Sequence, residues 1–219
     1  MTDSPSVADL YDCSDPDRRT AGIDAAATAI TDGGLVLLPT DTVYGVAADA
    51  FSPEAVRRLL TAKNRGRHMP VPVLIDEAST LAGLVLRTPP AAHRLAEAFW
   101  PGGLTLVLEH APSLAWDLGD AEGTVAVRLP DDELARDLLR RTGPLAVSSA
   151  NRSGRPAATT ALEAAEQLGD HAAVVLDGGP RADSAASTIV DCTGPAPRVL
   201  RVGAIDPDRL REVVPELTD

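Results

Sequence analysis

Ile23, Ala26, Ala27 and Ile30 repeat at the spacing of one helical face, with Pro16 ahead of them and Gly33-Gly34 behind as a stop. Residues 35–38 are apolar without a break and predict a buried strand. After a polar loop at 39–45 and a short segment at 46–50, Ser52 can cap a helix that has Pro53 in its first turn. Its inner face is Val56, Leu59 and Leu60, and it ends near Lys63. Residues 71–75 read as a strand, and Thr88-Pro89-Pro90 opens a helix that runs to Trp100 and stops at Pro101-Gly102-Gly103.

Residues 104–109 and 124–129 then read as strands, and a helix over 132–141 leads through Gly143 to a strand at 145–147. Thr160 with Glu163 three residues on has the form of a capping box for the next helix. Residues 174–176, 187–190 and 199–202 complete the strands, and Asp206-Pro207 starts a last helix. Strands alternating with helices predict an α/β fold. Several connections, 110–124 among them, lack a helix, so some neighbours are expected to be antiparallel in a mixed sheet with flanking helices.

At 219 residues the chain suits a single domain. Its hydrophobic fraction is 44% but its aromatic fraction is 3%, so the core must be built from Ala, Val, Leu and Ile. The formal net charge of −12 argues against a protein whose main task is gripping a nucleic-acid backbone, which needs clustered cations. Those cations are nearly all arginine, and Lys63 is the only lysine.

Cys13 and Cys192 stand far apart without metal-ligand spacing and are expected to be reduced thiols. The acidic residues 1–15 form a polar extension and not a signal peptide, and no apolar run nears the ~20 residues of a membrane span. A cytoplasmic location without membrane association is the expectation. No Gly-x-Gly-x-x-Gly follows a strand and no Gly-Lys-Ser/Thr occurs, which excludes the common dinucleotide and P-loop signatures.

Three segments carry candidate chemistry. Pro39-Thr40-Asp41-Thr42-Val43-Tyr44-Gly45 follows a buried strand, where open α/β sheets place ligands, and offers hydroxyls, a carboxylate and a phenol beside a glycine. As an isolated turn, its Asp41 would bond its own backbone. Lys63-Asn64-Arg65-Gly66-Arg67-His68 crowds cations at a helix C-terminus, where the helix dipole alone can account for them. Gly66, Pro70 and Pro72 carry that cluster into a loop, and a triphosphate is a suitable counter-charge. Ser148-Ser149-Ala150-Asn151-Arg152-Ser153-Gly154 follows a strand, lacks the frame of a nucleophile elbow, and reads as a binding loop. His68, His93, His110 and His171 have no zinc spacing, so no protein-built metal site is expected.

The order of these segments resembles the threonylcarbamoyl-AMP synthase (YrdC-like) family over about residues 20–205. The most specific match is PTDTVYG. It is joined by Lys-x-Arg at 63 and 65, Pro-Gly-x-Leu-Thr at 101–105, Arg-x-Pro at 128–130, Ser-Ala-Asn-x-Ser-Gly at 149–154, Ser-Thr-x-Val-Asp at 187–191 and Arg-x-Gly at 201–203. Residues 16–219 are identified by it as one YrdC-like catalytic domain of the short form, a twisted α/β sheet around a large concave, positively charged cleft.

The resemblance implies a nucleotidyltransferase that joins L-threonine, bicarbonate and ATP into threonylcarbamoyl-AMP and pyrophosphate, for threonylcarbamoyladenosine modification of tRNA next to the anticodon. It implies Lys63 and Arg65 as catalytic, and Thr42, Tyr44, Thr105, Ser149 and Ser187 as threonine-binding. It places Lys63, Arg65, Asn151, Thr159 and Arg201 on ATP, with Arg128 supporting the cleft and Mg2+ held by the phosphates. Contact with the tRNA threonylcarbamoyl-transferase machinery would be transient, and no stable nucleic-acid binding is expected. Gly66, Met69 and Leu74 stand where the family usually has proline, asparagine and histidine.

Two rival expectations keep the fold and change the function. One is a non-catalytic RNA-binding or ribosome-maturation module, which the net charge of −12 counts against. The other makes carbamoyl-adenylate for hydrogenase maturation, which the absence of acylphosphatase-like or zinc-finger segments disfavours.

Overall fold

The computed structural model describes residues 8–182 and 185–219. Helix α1 (Pro16–Thr31) begins where Asp15 accepts from the Asp17 and Arg18 amides, and α2 (Pro53–Ala62) where Ser52 accepts from Ala55. Both have the predicted proline in the first turn. A short α3 (Leu81–Leu84) precedes α4 (Pro90–Phe99), α5 (Glu133–Thr142), α6 (Ala161–Leu168) and α7 (Pro207–Val213).

The strands are β1 (Asp9–Asp12), β2 (Val36–Leu38), β3 (Gly45–Asp49), β4 (Val73–Leu74), β5 (Leu104–Glu109), β6 (Thr124–Arg128), β7 (Leu145–Ser149), β8 (Val174–Asp177), β9 (Thr188–Asp191) and β10 (Arg198–Arg201). They form one sheet in the order β1-β8-β2-β3-β7-β4-β6-β5-β9-β10. Four pairs are parallel (β1/β8, β2/β8, β4/β6, β5/β9) and the other five antiparallel, so the sheet is mixed as expected.

Three features differ from the sequence expectation. β1 lies inside the segment read as a polar extension and pairs with β8 at the edge of the sheet. The segment at 46–50 belongs to a central strand, β3, paired on both sides. Ser148 and Ser149 are the last residues of β7, where a loop was expected, and they pair with Val46 and Gly45.

Period-two alternation sorts side chains to two cores. Leu37, Val46 and Ala48 join Leu104, Leu106 and Leu108 in the larger core, under Val56 and Leu59 of α2, Leu95 of α4, Ala164 of α6 and Leu210 of α7. On the opposite face Val36, Leu38, Ala47, Leu145 and Val174 pack against Ile23, Ala26 and Ile30 of α1 and Leu134 and Leu138 of α5. Past β7 the same face carries Leu74, Ala126, Val107 and Ile189, and these line a cavity where a helix would otherwise sit.

Candidate functional site

The cavity has a volume of about 320 Å³ and opens on that uncovered half of the sheet, a size suited to a small ligand. Register decides what reaches it. Ser149 faces Gly45 across β7/β3, Leu74 faces Arg128 across β4/β6, Val107 faces Ala126 across β5/β6, and Thr105 faces Ile189 across β5/β9. Arg201 is opposite Ile189 at the β9/β10 irregularity. Thus Thr105, Arg128, Ser149 and Arg201, from four strands, share one face by parity. Gly45 is required at its position, because a Cβ there would lie 2.7 Å from Val147 Cγ1.

Each guanidinium in the wall donates to a hydroxyl. Arg128 donates to Thr42 Oγ1 at 3.0 Å, Arg65 to Ser148 Oγ at 3.1 Å and Arg201 to Ser187 Oγ at 3.0 Å. Main-chain carbonyls take further donors: Met69 and Pro70 from Arg65, Gly102 from Arg128 and Ser187 from Arg201. Alcohols and cations are therefore paired around the wall.

The alcohols pass their own protons inward. Thr40 Oγ1 donates to the Val43 carbonyl at 2.7 Å, so at its 3.1 Å contact with Thr42 Oγ1 it is the acceptor. Thr105 and Ser187 hydroxyls meet at 2.8 Å.

Of the three arginines, Arg128 pairs with a carboxylate, Asp41, at 2.5 Å. Asp41 was expected to close its own turn, and instead it neutralises an almost fully buried cation. Burial lowers the pKa of Arg65, and the charge of Arg201 lowers it further. For Arg201 burial again comes first and the charge of Arg128 second. Guanidiniums remain protonated at any physiological pH, so these directions describe mutual repulsion that a bound anion would relieve.

Lys63 does not line the cavity. Its ammonium is buried, donates to the Ser149 carbonyl, and reaches Asn151 O at 2.7 Å and Asn151 Oδ1 at 3.3 Å. Burial first, and Arg65 second, bring its pKa down to about 8. Asn151 in turn donates to the Arg152 and Arg155 carbonyls, and Thr159 is held by Glu163 through its amide at 2.7 Å and its hydroxyl at 3.0 Å. Lys63, Asn151 and Thr159 are thus not among the lining residues, whereas Thr42, Tyr44, Arg65, Thr105, Ser149, Ser187 and Arg201 line the cavity.

Tyr44 is fully buried. Its hydroxyl donates to the Gly179 carbonyl at 2.8 Å and accepts from the Gly178 amide at 3.2 Å, and burial together with the Asp177 charge pushes its pKa up and keeps it neutral. Arg181, which the sequence reading missed, has its guanidinium carbon 5.8 Å from the centre of the Tyr44 ring. It lies in a Gly-Gly-Pro turn outside every quoted motif, so no sequence signal pointed to it.

A mixed, open sheet with helices on both faces and an arginine-and-hydroxyl cavity on its uncovered half defines an α/β protein with a cationic, hydroxyl-lined pocket. Comparison with known proteins gives the family. The Sua5/YciO/YrdC family model, described as telomere recombination, matches residues 28–203, and the chain belongs to that family.

A protein of Mycobacterium tuberculosis (strain H37Rv) is 54% identical over 208 residues, 95% of this chain and 96% of the other. A Bacillus subtilis (strain 168) protein named threonylcarbamoyl-AMP synthase is 37% identical over 210 residues, 95% of this chain and 59% of the other. The crystal structure of Pyrococcus abyssi Sua5 complexed with L-threonine superposes with a TM-score of 0.86 at 36% identity, covering 90% of this chain and 58% of that one. The chain therefore spans about three fifths of those two longer relatives and nearly all of the mycobacterial one. Among the described residues no helix is long and apolar enough to cross a membrane.

Proposed function

We propose that this chain is an L-threonylcarbamoyladenylate synthase, which makes threonylcarbamoyl-AMP and pyrophosphate from L-threonine, bicarbonate and ATP for tRNA modification. The observation that carries the proposal is the cavity wall, in which Arg65, Arg128 and Arg201 crowd together against a single carboxylate, Asp41, and each offers its charge beside an alcohol. Such a wall can hold a carboxylate-bearing amino acid and a polyphosphate at once.

In the proposed reaction the threonine amine attacks the carbon of bicarbonate, and water leaves to give the carbamate. A carbamate oxygen then attacks the α-phosphorus of ATP and pyrophosphate departs. Two anions must be brought together, so positioning and positive charge matter more than a strong base. Arg65 and Arg201 neutralise phosphate charge in this scheme, and Thr42, Thr105, Ser149 and Ser187 orient threonine. Lys63 contributes by holding the Ser149–Asn151 segment, which its four oxygen contacts support. The cavity lining is hydroxyl, guanidinium and apolar, a set suited to the phosphates and not to a divalent ion. Magnesium is therefore proposed to enter with ATP, held by phosphate oxygens.

The test is incubation of the protein with ATP, magnesium, bicarbonate and each of several amino acids, followed by mass analysis of the adenylate. A threonine-selective adduct is expected. Its absence with threonine, or its formation from carbamoyl phosphate instead, would refute the assignment.

A further inference from the structure

Arg181 joins three parts of the chain that are far apart in sequence. One terminal nitrogen donates to the Thr40 carbonyl at 3.2 Å and to Asp132 Oδ2 at 2.8 Å, and the other donates to the Gly178 carbonyl at 2.6 Å and the Gly179 carbonyl at 3.1 Å. Its own amide donates to the Thr159 carbonyl at 2.8 Å. Its Nε is buried and has no partner among the described residues. A lone surface ion pair gives no reason to hold a guanidinium at this cost in desolvation. A clamp that must meet four oxygens in a fixed geometry does.

What the clamp holds is the wall of the cavity. Thr40, Thr42, Val43, Tyr44 and Gly45 all line it. Asp132 is a fixed anchor, because its other oxygen caps α5 by accepting from the Ala135 amide at 2.9 Å. Tyr44 makes the parallel tie, with its hydroxyl on Gly178 and Gly179 and its ring beneath the guanidinium. Thr40 is the link to the substrate side: its carbonyl is pinned by Arg181, and its hydroxyl oxygen accepts from Thr42 Oγ1.

We infer that Arg181 is a positioning residue for threonine: by fixing Thr40 against Asp132 and the Gly178–Gly179 turn, it sets where the Thr42 hydroxyl stands in the cavity. The inference rests on the synthase function proposed above. Arg65 and Arg201 make none of their hydrogen bonds to the clamp, so loss of Arg181 should reach threonine and spare ATP.

The experiment measures steady-state KM for threonine and for ATP in wild type, Arg181→Met, Arg181→Lys and Asp132→Asn. Arg19→Met serves as a control, because it cuts an ion pair to Asp137 remote from the cavity. Amide exchange of residues 40–45 is followed in parallel. Arg181→Met should raise the threonine KM at least about tenfold and the ATP KM less than about threefold, with faster exchange at 40–45. Arg181→Lys, a point charge without the fork, should recover only part of this. Asp132→Asn should move the same way by a smaller factor, and Arg19→Met should change neither KM.

An unchanged threonine KM, a parallel rise of both KM values, or a rise in the ATP value alone would overturn the inference. If Arg181→Met does not fold, the same split is read from Arg181→Lys and Asp132→Asn. If wild type forms no threonine adduct, the synthase assignment fails by itself, and exchange at 40–45 still decides whether Arg181 fixes this wall: wild-type rates in Arg181→Met overturn the clamp.

Discussion

The Lys63 ammonium holds Asn151 by both of its oxygens, the carbonyl at 2.7 Å and Oδ1 at 3.3 Å, from 88 residues away in the chain. The Ser149–Asn151 segment is thereby built on a buried charge, and that has a consequence for stability. Burial brings the Lys63 pKa down from 10.5 to about 8 in the folded state. Below pH 8 both states carry the proton and the full cost of burying the cation is present. Between about 8 and 10.5 the unfolded chain binds more protons than the folded one, so this contribution grows more favourable as pH rises, by roughly 3 kcal/mol in all. Unfolding by denaturant at pH 7 and pH 10 in wild type and Lys63→Met checks this: the wild type should gain relative to the variant at the higher pH.

Arg65 faces the cavity, and Lys63 holds the Ser149–Asn151 segment. Lys63→Ala and Arg65→Ala should each slow pyrophosphate release at saturating threonine at least about tenfold, or ~1.4 kcal/mol. Arg65→Lys should not restore the rate, since one ammonium cannot reach the Met69 carbonyl, the Pro70 carbonyl and the Ser148 hydroxyl together. A pyrophosphate assay measures each, and near wild-type rates would remove the phosphate role.

The Thr105 and Ser187 hydroxyls satisfy each other in a buried setting. Thr105→Val keeps the shape and removes one partner, which should cost about 1–3 kcal/mol of stability. It should also raise the KM for threonine more than that for ATP. Thermal unfolding and substrate titrations read the two effects separately.

Gly203 follows Arg201 past the end of β10, and a Cβ there would stand 2.2 Å from the Ala186 carbonyl oxygen and 2.6 Å from the Ser187 carbonyl. Backbone atoms cannot step aside as a side-chain tip can. Gly203→Ala should therefore displace Arg201 from Ser187 and lower activity by at least about tenfold. Gly123 lies at positive φ, but a Cβ there meets open space, so Gly123→Ala should cost only about 1 kcal/mol of stability and no activity.

Much of this architecture was legible because its signals are local. Ser52 and Asp206 cap helices that carry proline in their first turn, as their order in the chain predicted, and Pro16 opens the first helix as expected, with Asp15 as the cap the structure adds. The capping box at Thr160 is half present: Thr160 accepts from the Glu163 amide, while the Glu163 carboxylate reaches back to the Thr159 amide, one residue beyond the expected donor.

The missed elements depend on distant partners. Asp9–Asp12 has a polar sequence and becomes a strand through backbone pairing with β8, and Gly45–Asp49 becomes one because β2 and β7 flank it. The motifs located Thr42, Thr105, Ser187 and Arg201 at the cavity, but no motif states that Lys63 points inward or that Asp41 belongs to Arg128. Those depend on which strand ends the fold brings together.

The sheet is roofed by α1 and α5 over only part of one face, and the strip from Leu74 to Ile189 is left as an unfinished hydrophobic layer. A molecule seated there acts as the absent third layer of a sandwich, so part of its binding energy goes into completing the protein. Ligand at a hundredfold excess over its Kd would deepen the native state by ~2.7 kcal/mol, and the empty chain is correspondingly the softer of the two forms.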